Sequence, residues 1–232
     1  MFEFFAKKQT KELPKHIAIA GSGSKQYAEK NNLTFEQASA LKIVNIKEYI
    51  KLCKEIGIKE LTLYLLPLET ENTQLFSTVM DSFVKFFNEL LLWTVMENVN
   101  VSVLGKWYDL PGRVIDPIKE LVQRSKDGAQ MRVNLCLSYD GQEEIVDACK
   151  LLARQVQAGK LDPEAITKSS IKGNLYSSSI PAPDLVVRLG TPRMSSLLLW
   201  DLPHAKVFTT KKTWQEFTGR DLRDAMAWWQ QW

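Results

Sequence analysis

Short runs in which nearly every residue is apolar alternate along this chain with longer segments whose apolar positions recur every three to four residues. His16–Ala20 reads as a strand, Phe35–Ile56 as one helix broken near its start, and Glu60–Leu66, with Leu61, Leu63, Leu65 and Leu66, as a buried strand. A long helix follows from about Gln74 to Glu97, then a strand at Val99–Leu104, and Pro111 suits the first residue of another helix. Met131–Ser138 reads as a strand and Gly141 to about Ala158 as a helix, while Asp162-Pro163 and the serine-rich Ser169–Ser179 read as connections. Asp184–Arg188 and Val207–Thr210 are the last strands, and a final helix runs from about Gly219 into Trp228, Trp229 and Trp232. Strands alternating with helices predict an α/β fold with a mostly parallel central sheet covered by helices on both faces. With no internal repeat and no linker, residues 14–232 read as a single domain behind a loose arm over residues 1–13. Open sheets of this kind bind ligands beyond the carboxyl ends of their strands. The loops after Ala20, Leu66 and Arg188 are therefore the ones to inspect.

Composition narrows the classes. An apolar fraction of 45% and a charged fraction of 25% are those of a globular protein with a sizeable core. Thirty basic against 27 acidic residues leave a net charge of +3, and no dense Lys/Arg stripe appears, so nucleic acid is not an expected partner. Cys53, Cys136 and Cys149 sit in apolar-periodic segments without metal-ligand spacing; three buried thiols suggest a reducing compartment. The start, Met1 to Lys8, is too short and too charged for a signal peptide, and no apolar run reaches the ~20 residues that span a bilayer. The expected location is cytoplasmic, with contact at a membrane surface left open.

Two loops carry candidate chemistry. Gly21-Ser22-Gly23-Ser24-Lys25-Gln26 has the small residues of a phosphate cradle, in which backbone N–H groups approach an anion closely, but it lacks an acid. Arg188-Leu189-Gly190-Thr191-Pro192-Arg193-Met194-Ser195 puts two guanidiniums and a hydroxyl around one turn, a set suited to a many-oxygen anion or, equally on composition, to solvated surface arginines. His16 and His204 have no serine or cysteine partner that spacing suggests, so no hydrolytic triad is expected.

Several segments, in order, resemble the cis-prenyltransferase (undecaprenyl diphosphate synthase) family. Pro14-Lys15-His16-Ile17-Ala18-Ile19 and Gly57-Ile58-Lys59-Glu60-Leu61-Thr62-Leu63-Tyr64 match its first two strands, and Val103-Leu104-Gly105 with Leu110-Pro111 its third strand and loop. Tyr139-Asp140-Gly141-Gln142-Glu143-Glu144-Ile145 looks like a modified Asn-Tyr-Gly-Gly-Arg segment. Pro181-Ala182-Pro183-Asp184-Leu185-Val186-Val187-Arg188, Leu198-Leu199-Trp200 and Trp214-Gln215-Glu216-Phe217 complete the series. Arg193-Met194-Ser195-Ser196 is also similar to the lavandulyl-type irregular branch.

The resemblance implies condensation of isopentenyl diphosphate with an allylic diphosphate, Mg²⁺ dependence, dimerisation and a hydrophobic tunnel. Arg188, Arg193 and Ser195 fall on the isopentenyl diphosphate anchors. The allylic loop departs from the family's Met-Asp-Gly-Asn-Gly-Arg-Trp: Ser22 stands for the catalytic Asp, Gly23 is kept, and Ser24, Lys25, Gln26 and Tyr27 replace Asn, Gly, Arg and Trp. Phe35 and Ser39 stand where an Arg and a His contact the same diphosphate, and the metal-binding Glu falls at about Ala205 or Lys206. Glu69 is the carboxylate kept in the loop after Leu66, with solvated loop acid as its plainer reading. Leu65, Phe83, Phe87 and Leu91 are expected to line the tunnel, Leu65 narrowing it for a shorter prenyl ligand; a plain buried core helix explains the apolar 74–97 segment as well.

Without the usual carboxylates no metal ligand is assigned, and the cofactor stays open, Mg²⁺ included. Two functions follow. One is an atypical isoprenoid prenyltransferase or prenyl-diphosphate cyclase that keeps the anchors at Arg188, Arg193 and Ser195. The other is a non-catalytic partner subunit of a heteromeric cis-prenyltransferase. The expected partners are a prenyl diphosphate and a second chain, as homodimer or heterodimer.

Overall fold

The computed structural model describes residues 12–68 and 76–231. Six parallel strands form one sheet in the order β3-β4-β2-β1-β5-β6. They are β1 (His16–Gly21), β2 (Glu60–Tyr64), β3 (Val99–Leu104), β4 (Met131–Cys136), β5 (Leu185–Leu189) and β6 (Lys206–Thr210). The helices between them are α1 (Ser24–Lys30), α2 (Phe35–Glu55), α3 (Phe76–Met96), α4 (Gly112–Ser125), α5 (Gly141–Gln157), α6 (Lys168–Asn174) and α7 (Gly219–Trp229). β2 and β5 are buried at every residue, as inner strands of a doubly covered parallel sheet must be.

The expected α/β architecture is present, with local differences. Pro111 is the residue capping α4, not its first helical residue, and β5 extends one residue past Arg188. The serine-rich connection holds a helix, α6, because Thr167 and Ser170 close a reciprocal capping box at its start. Of the three cysteines, Cys53 and Cys136 are buried but Cys149 is exposed on α5. Trp228 packs edge-on to Phe208 at 5.6 Å, and Trp229 donates its indole N–H to Asp184 O at 3.0 Å, so both tryptophans cap this domain's own sheet. Trp232 lies outside the described residues. No helix among the described residues is long and apolar enough to cross a membrane.

Side-chain alternation divides the core. Ile17, Ile19, Leu61, Leu63, Val187 and Leu189 face a large cluster shared with α2, α3 and α7. Ala18, Ala20, Tyr64, Cys136 and Val186 face a smaller cluster on the other side. Register sets Tyr64, Ala20 and Arg188 in one row across β2, β1 and β5. Arg188 therefore leaves the sheet on the side of the smaller cluster, near the carboxyl ends.

Candidate active site

The loops after β1 and β5 meet. Ser22 N donates to Leu189 O at 3.3 Å, and Ser22 Oγ lies 3.5 Å from the same carbonyl. Gly190 makes this contact possible: its φ is +78°, and a Cβ there would stand 2.8 Å from Ser22 O and 3.0 Å from Ser22 Oγ.

Arg188 is not a surface arginine. It is 8% exposed, and its Nε donates to Arg193 O at 2.6 Å while a terminal nitrogen donates to Leu189 O at 3.4 Å. No carboxylate among the described residues pairs with it. Burial pulls its pKa down, with the Tyr64 hydroxyl acting in the other direction. Arg193 is exposed, and Ser195 Oγ accepts from Leu197 N at 3.4 Å, bracing the same loop.

A buried polar chain supports that loop from below. Tyr64 Oη is 3.0 Å from Ser196 Oγ and donates to Tyr139 O at 2.9 Å. Tyr139 hydrogen-bonds Glu144 and accepts from Leu198 N at 3.1 Å, and Glu144 also accepts from Ser177 N at 2.8 Å. Gly141 lets the start of α5 pass against Ser196 O, where a side chain would collide. Burial and the Glu144 carboxylate push the Tyr139 pKa far up, so it stays a neutral hydroxyl.

On the opposite side of the sheet, a cavity of about 260 Å³ opens beside the β1 loop. Gly21, Ser22, Gly23 and Ser24 form its rim; Ile43, Ile46, Leu65, Val79, Phe83 and Phe86 form its apolar wall. Leu65 and Phe83 are among the residues that line this cavity. Phe87 and Leu91 pack behind, in the large core cluster, with Phe87 stacked on Phe83 at 5.6 Å. Phe35 and Ser39 also line the cavity.

The other residues singled out from the sequence take different positions. Lys25 is 69% exposed, 4.0 Å from Glu29 on the outer face of α1. Gln26 lines an open groove that shares Ser22 and Gly23 with the cavity rim, runs past Gly190 and Thr191 of the β5 loop, and includes Lys30, Lys211 and Lys212. Lys206 begins β6, roughly 13 Å from the carboxyl end at ~3.3 Å per residue. That position and Ser22 are therefore at opposite ends of the sheet within one chain. Glu69 lies outside the described residues.

The cation that does reach the cavity is Lys42, from α2. Its Nζ donates to Leu65 O at 3.2 Å and sits 5.2 Å over the Trp214 ring. Desolvation lowers its pKa to about 8. Its signal in the sequence was position: residues 38, 39, 46, 49, 50 and 53 form the inward stripe of α2, and residue 42 falls on that stripe. Trp214 lies against Gly21, where any side chain would collide with the indole.

This donor set does not fit Mg²⁺. A hard divalent cation needs anionic oxygens, whereas the cavity rim offers serine hydroxyls and an ammonium. Among the described residues no group of three or more His, Cys, Asp or Glu converges.

Comparison with known proteins is consistent with this layout. Residues 21–232 match the model of the undecaprenyl diphosphate synthase family of prenyltransferases. An isoprenyl transferase of Clostridium perfringens is 30% identical over 241 residues, covering 97% of this chain and 94% of its own. One from Prochlorococcus marinus is 32% identical over 220 residues, covering 92% and 82%. The crystal structure of lavandulyl diphosphate synthase from Lavandula x intermedia, in complex with dimethylallyl diphosphate, superposes with a TM-score of 0.88 at 28% identity, covering 94% of this chain and 95% of that one. With the family model spanning nearly the whole described domain and both loops in the positions the fold reserves for ligands, this chain belongs to the undecaprenyl diphosphate synthase family of prenyltransferases.

Proposed function

We propose that the protein is an atypical isoprenoid prenyltransferase that binds one prenyl diphosphate through Arg188, Arg193 and Ser195 and a short prenyl chain in the apolar cavity. The observation that carries this reading is Arg188: a guanidinium buried at a strand's carboxyl end with no carboxylate partner among the described residues. A buried charge without a counter-charge is costly, and an anion arriving at the loop offsets that cost through short, charge-assisted hydrogen bonds. The β1 loop touches both this loop and the cavity, so a diphosphate on the arginine side and a chain on the other meet at Ser22–Ser24.

The cavity, about 260 Å³, is smaller than most ligand pockets, ~300–1,000 Å³. That supports a substrate of one or two isoprene units over a long polyprenyl chain. In prenyl transfer the allylic C–O bond breaks, the electron pair leaves with the diphosphate, and a C–C bond forms before a proton is lost. Ser22 brings a hydroxyl to this place and no negative charge, which makes the allylic site an altered one.

The test is turnover by the purified protein with dimethylallyl, geranyl and farnesyl diphosphates, with and without isopentenyl diphosphate. Product formed by the protein alone, with chains no longer than about three units, supports the reading. Complete inactivity that a co-expressed homologue restores would instead establish a non-catalytic partner subunit.

A further inference from the structure

We infer that Lys42 and the indole N–H of Trp214 together hold the phosphate head of a short allylic diphosphate at the mouth of the apolar cavity, in the role a carboxylate-bound divalent cation would otherwise fill. This rests on the function proposed above and assigns residues to its second half-site.

Lys42 is first a lysine on the wrong face of its helix. Position 42 belongs to the stripe of α2 that turns toward the core, between Ser39 and Ile46. Three other shielded lysines are neutralised, Lys54 by Glu97, Lys106 by Glu143 and Asp147, and Lys172 by Asp201; half-buried Lys206 has only Trp229 O at 3.1 Å and the Trp229 ring, but unlike Lys42 it does not line the cavity. Lys42 has no carboxylate among the described residues. One of its three N–H donors goes to Leu65 O at 3.2 Å. The others are left to the cavity, which Lys42 itself lines.

The second observation is independent. Trp214 is 1% exposed, and its Nε1 has no hydrogen-bond partner among the described residues. Indole can only donate, and buried donors in native proteins are nearly always satisfied. Trp214 also lines the cavity, and Lys42 stands over its ring.

Both unfilled groups are donors, and one is charged. What completes them is an acceptor-rich anion, not a metal ion. The wall beyond them is Ile46, Leu65, Phe83 and Phe86, so the anion carries an apolar tail. A phosphate head on a short hydrocarbon chain satisfies all of these conditions. The ammonium also disfavours a divalent cation in the same place, which agrees with Ser22 standing where the family has an acid.

The experiment is calorimetric titration of the full chain with geranyl S-thiolodiphosphate, in EDTA and in Mg²⁺, alongside isopentenyl diphosphate. The wild type is expected to bind the geranyl probe in EDTA. Lys42→Met should weaken that binding at least about tenfold, the scale of one hydrogen bond to a charged group. Trp214→Phe, which removes the N–H together with the pyrrole half of the ring, should weaken it less, and Lys42→Arg should retain most of it. Unchanged affinity in Lys42→Met, or binding that appears only with Mg²⁺, overturns the inference. If isopentenyl diphosphate still binds in that event, the proposed function stands without it. If the wild type binds neither ligand, both readings fall.

Discussion

Replacing Lys42 by Met should make the protein more stable while impairing its binding of ligand. The magnitude follows from burial. Desolvation brings the Lys42 pKa from 10.5 to about 8. A difference of this size corresponds to roughly 3 kcal/mol, at ~1.4 kcal/mol per pH unit. At pH 7 the amine is charged in both the folded and unfolded chains, so the folded state carries that penalty in full. Met keeps the length and apolar stem of the side chain. It loses the bond to Leu65 O, a contribution of about 1 kcal/mol, so the net gain is about 2 kcal/mol. Between pH 8 and 10.5 the unfolded chain binds the proton and the folded chain does not. Wild-type stability should therefore rise with pH across that window. Urea unfolding at pH 7, 9 and 10.5 measures this. The variant's advantage should be largest at pH 7 and vanish near pH 10.5, with unchanged dependence on urea concentration. A variant that is less stable at pH 7, or whose difference from the wild type does not change with pH, refutes the argument.

Three further outcomes are expected. Gly190→Ala combines a φ of +78° with a Cβ 2.8 Å from Ser22 O; left-handed backbone alone costs ~1–2 kcal/mol, so thermal unfolding should show at least that loss, together with lower turnover as the two loops part. Arg188→Met should raise the KM for isopentenyl diphosphate at least about tenfold, as expected when a charge-assisted anchor is lost, while circular dichroism stays unchanged; a KM like the wild type's would remove Arg188 from the site. His16 is buried, lies 2.8 Å from both Pro181 O and Thr62 Oγ1, and has its pKa lowered by desolvation to about 4. The unfolded chain protonates first as pH falls from 6.5 to 4, so stability should drop across that window by on the order of 3 kcal/mol, and His16→Gln should flatten this part of the profile.

Some of this was legible in the sequence for simple reasons. The strands are short apolar runs buried on both faces, and burial on both faces leaves a direct mark in composition. That was enough for the parallel sheet, its single domain and the three loops at its carboxyl edge. The acid-free loop could be read residue by residue, because a missing carboxylate is a property of the string itself. Short helices were harder: α6 was hidden under serines whose capping role depends on spacing and not on propensity.

The division of the site between the two sides of the sheet was decided only by the tertiary structure. Arg188 and Lys42 are 146 positions apart, and the chain alone does not say that they lie on opposite sides of one sheet. Arg188 reads in the chain as the end of a strand and a candidate anion anchor, with a solvated arginine as the alternative, and strand register then sets it in a row with Ala20 and Tyr64, behind the β5 loop. Lys25 reads as the loop's cation until α1 turns it outward to Glu29. Lys42 becomes a cavity cation only when α2 lays its stripe on the sheet and Trp214, from a distant segment, closes beneath it. Sequence fixes which groups are available. Long-range packing decides which of them lose their water, and at this site it shields two cations, Arg188 and Lys42, without setting a carboxylate beside either among the described residues.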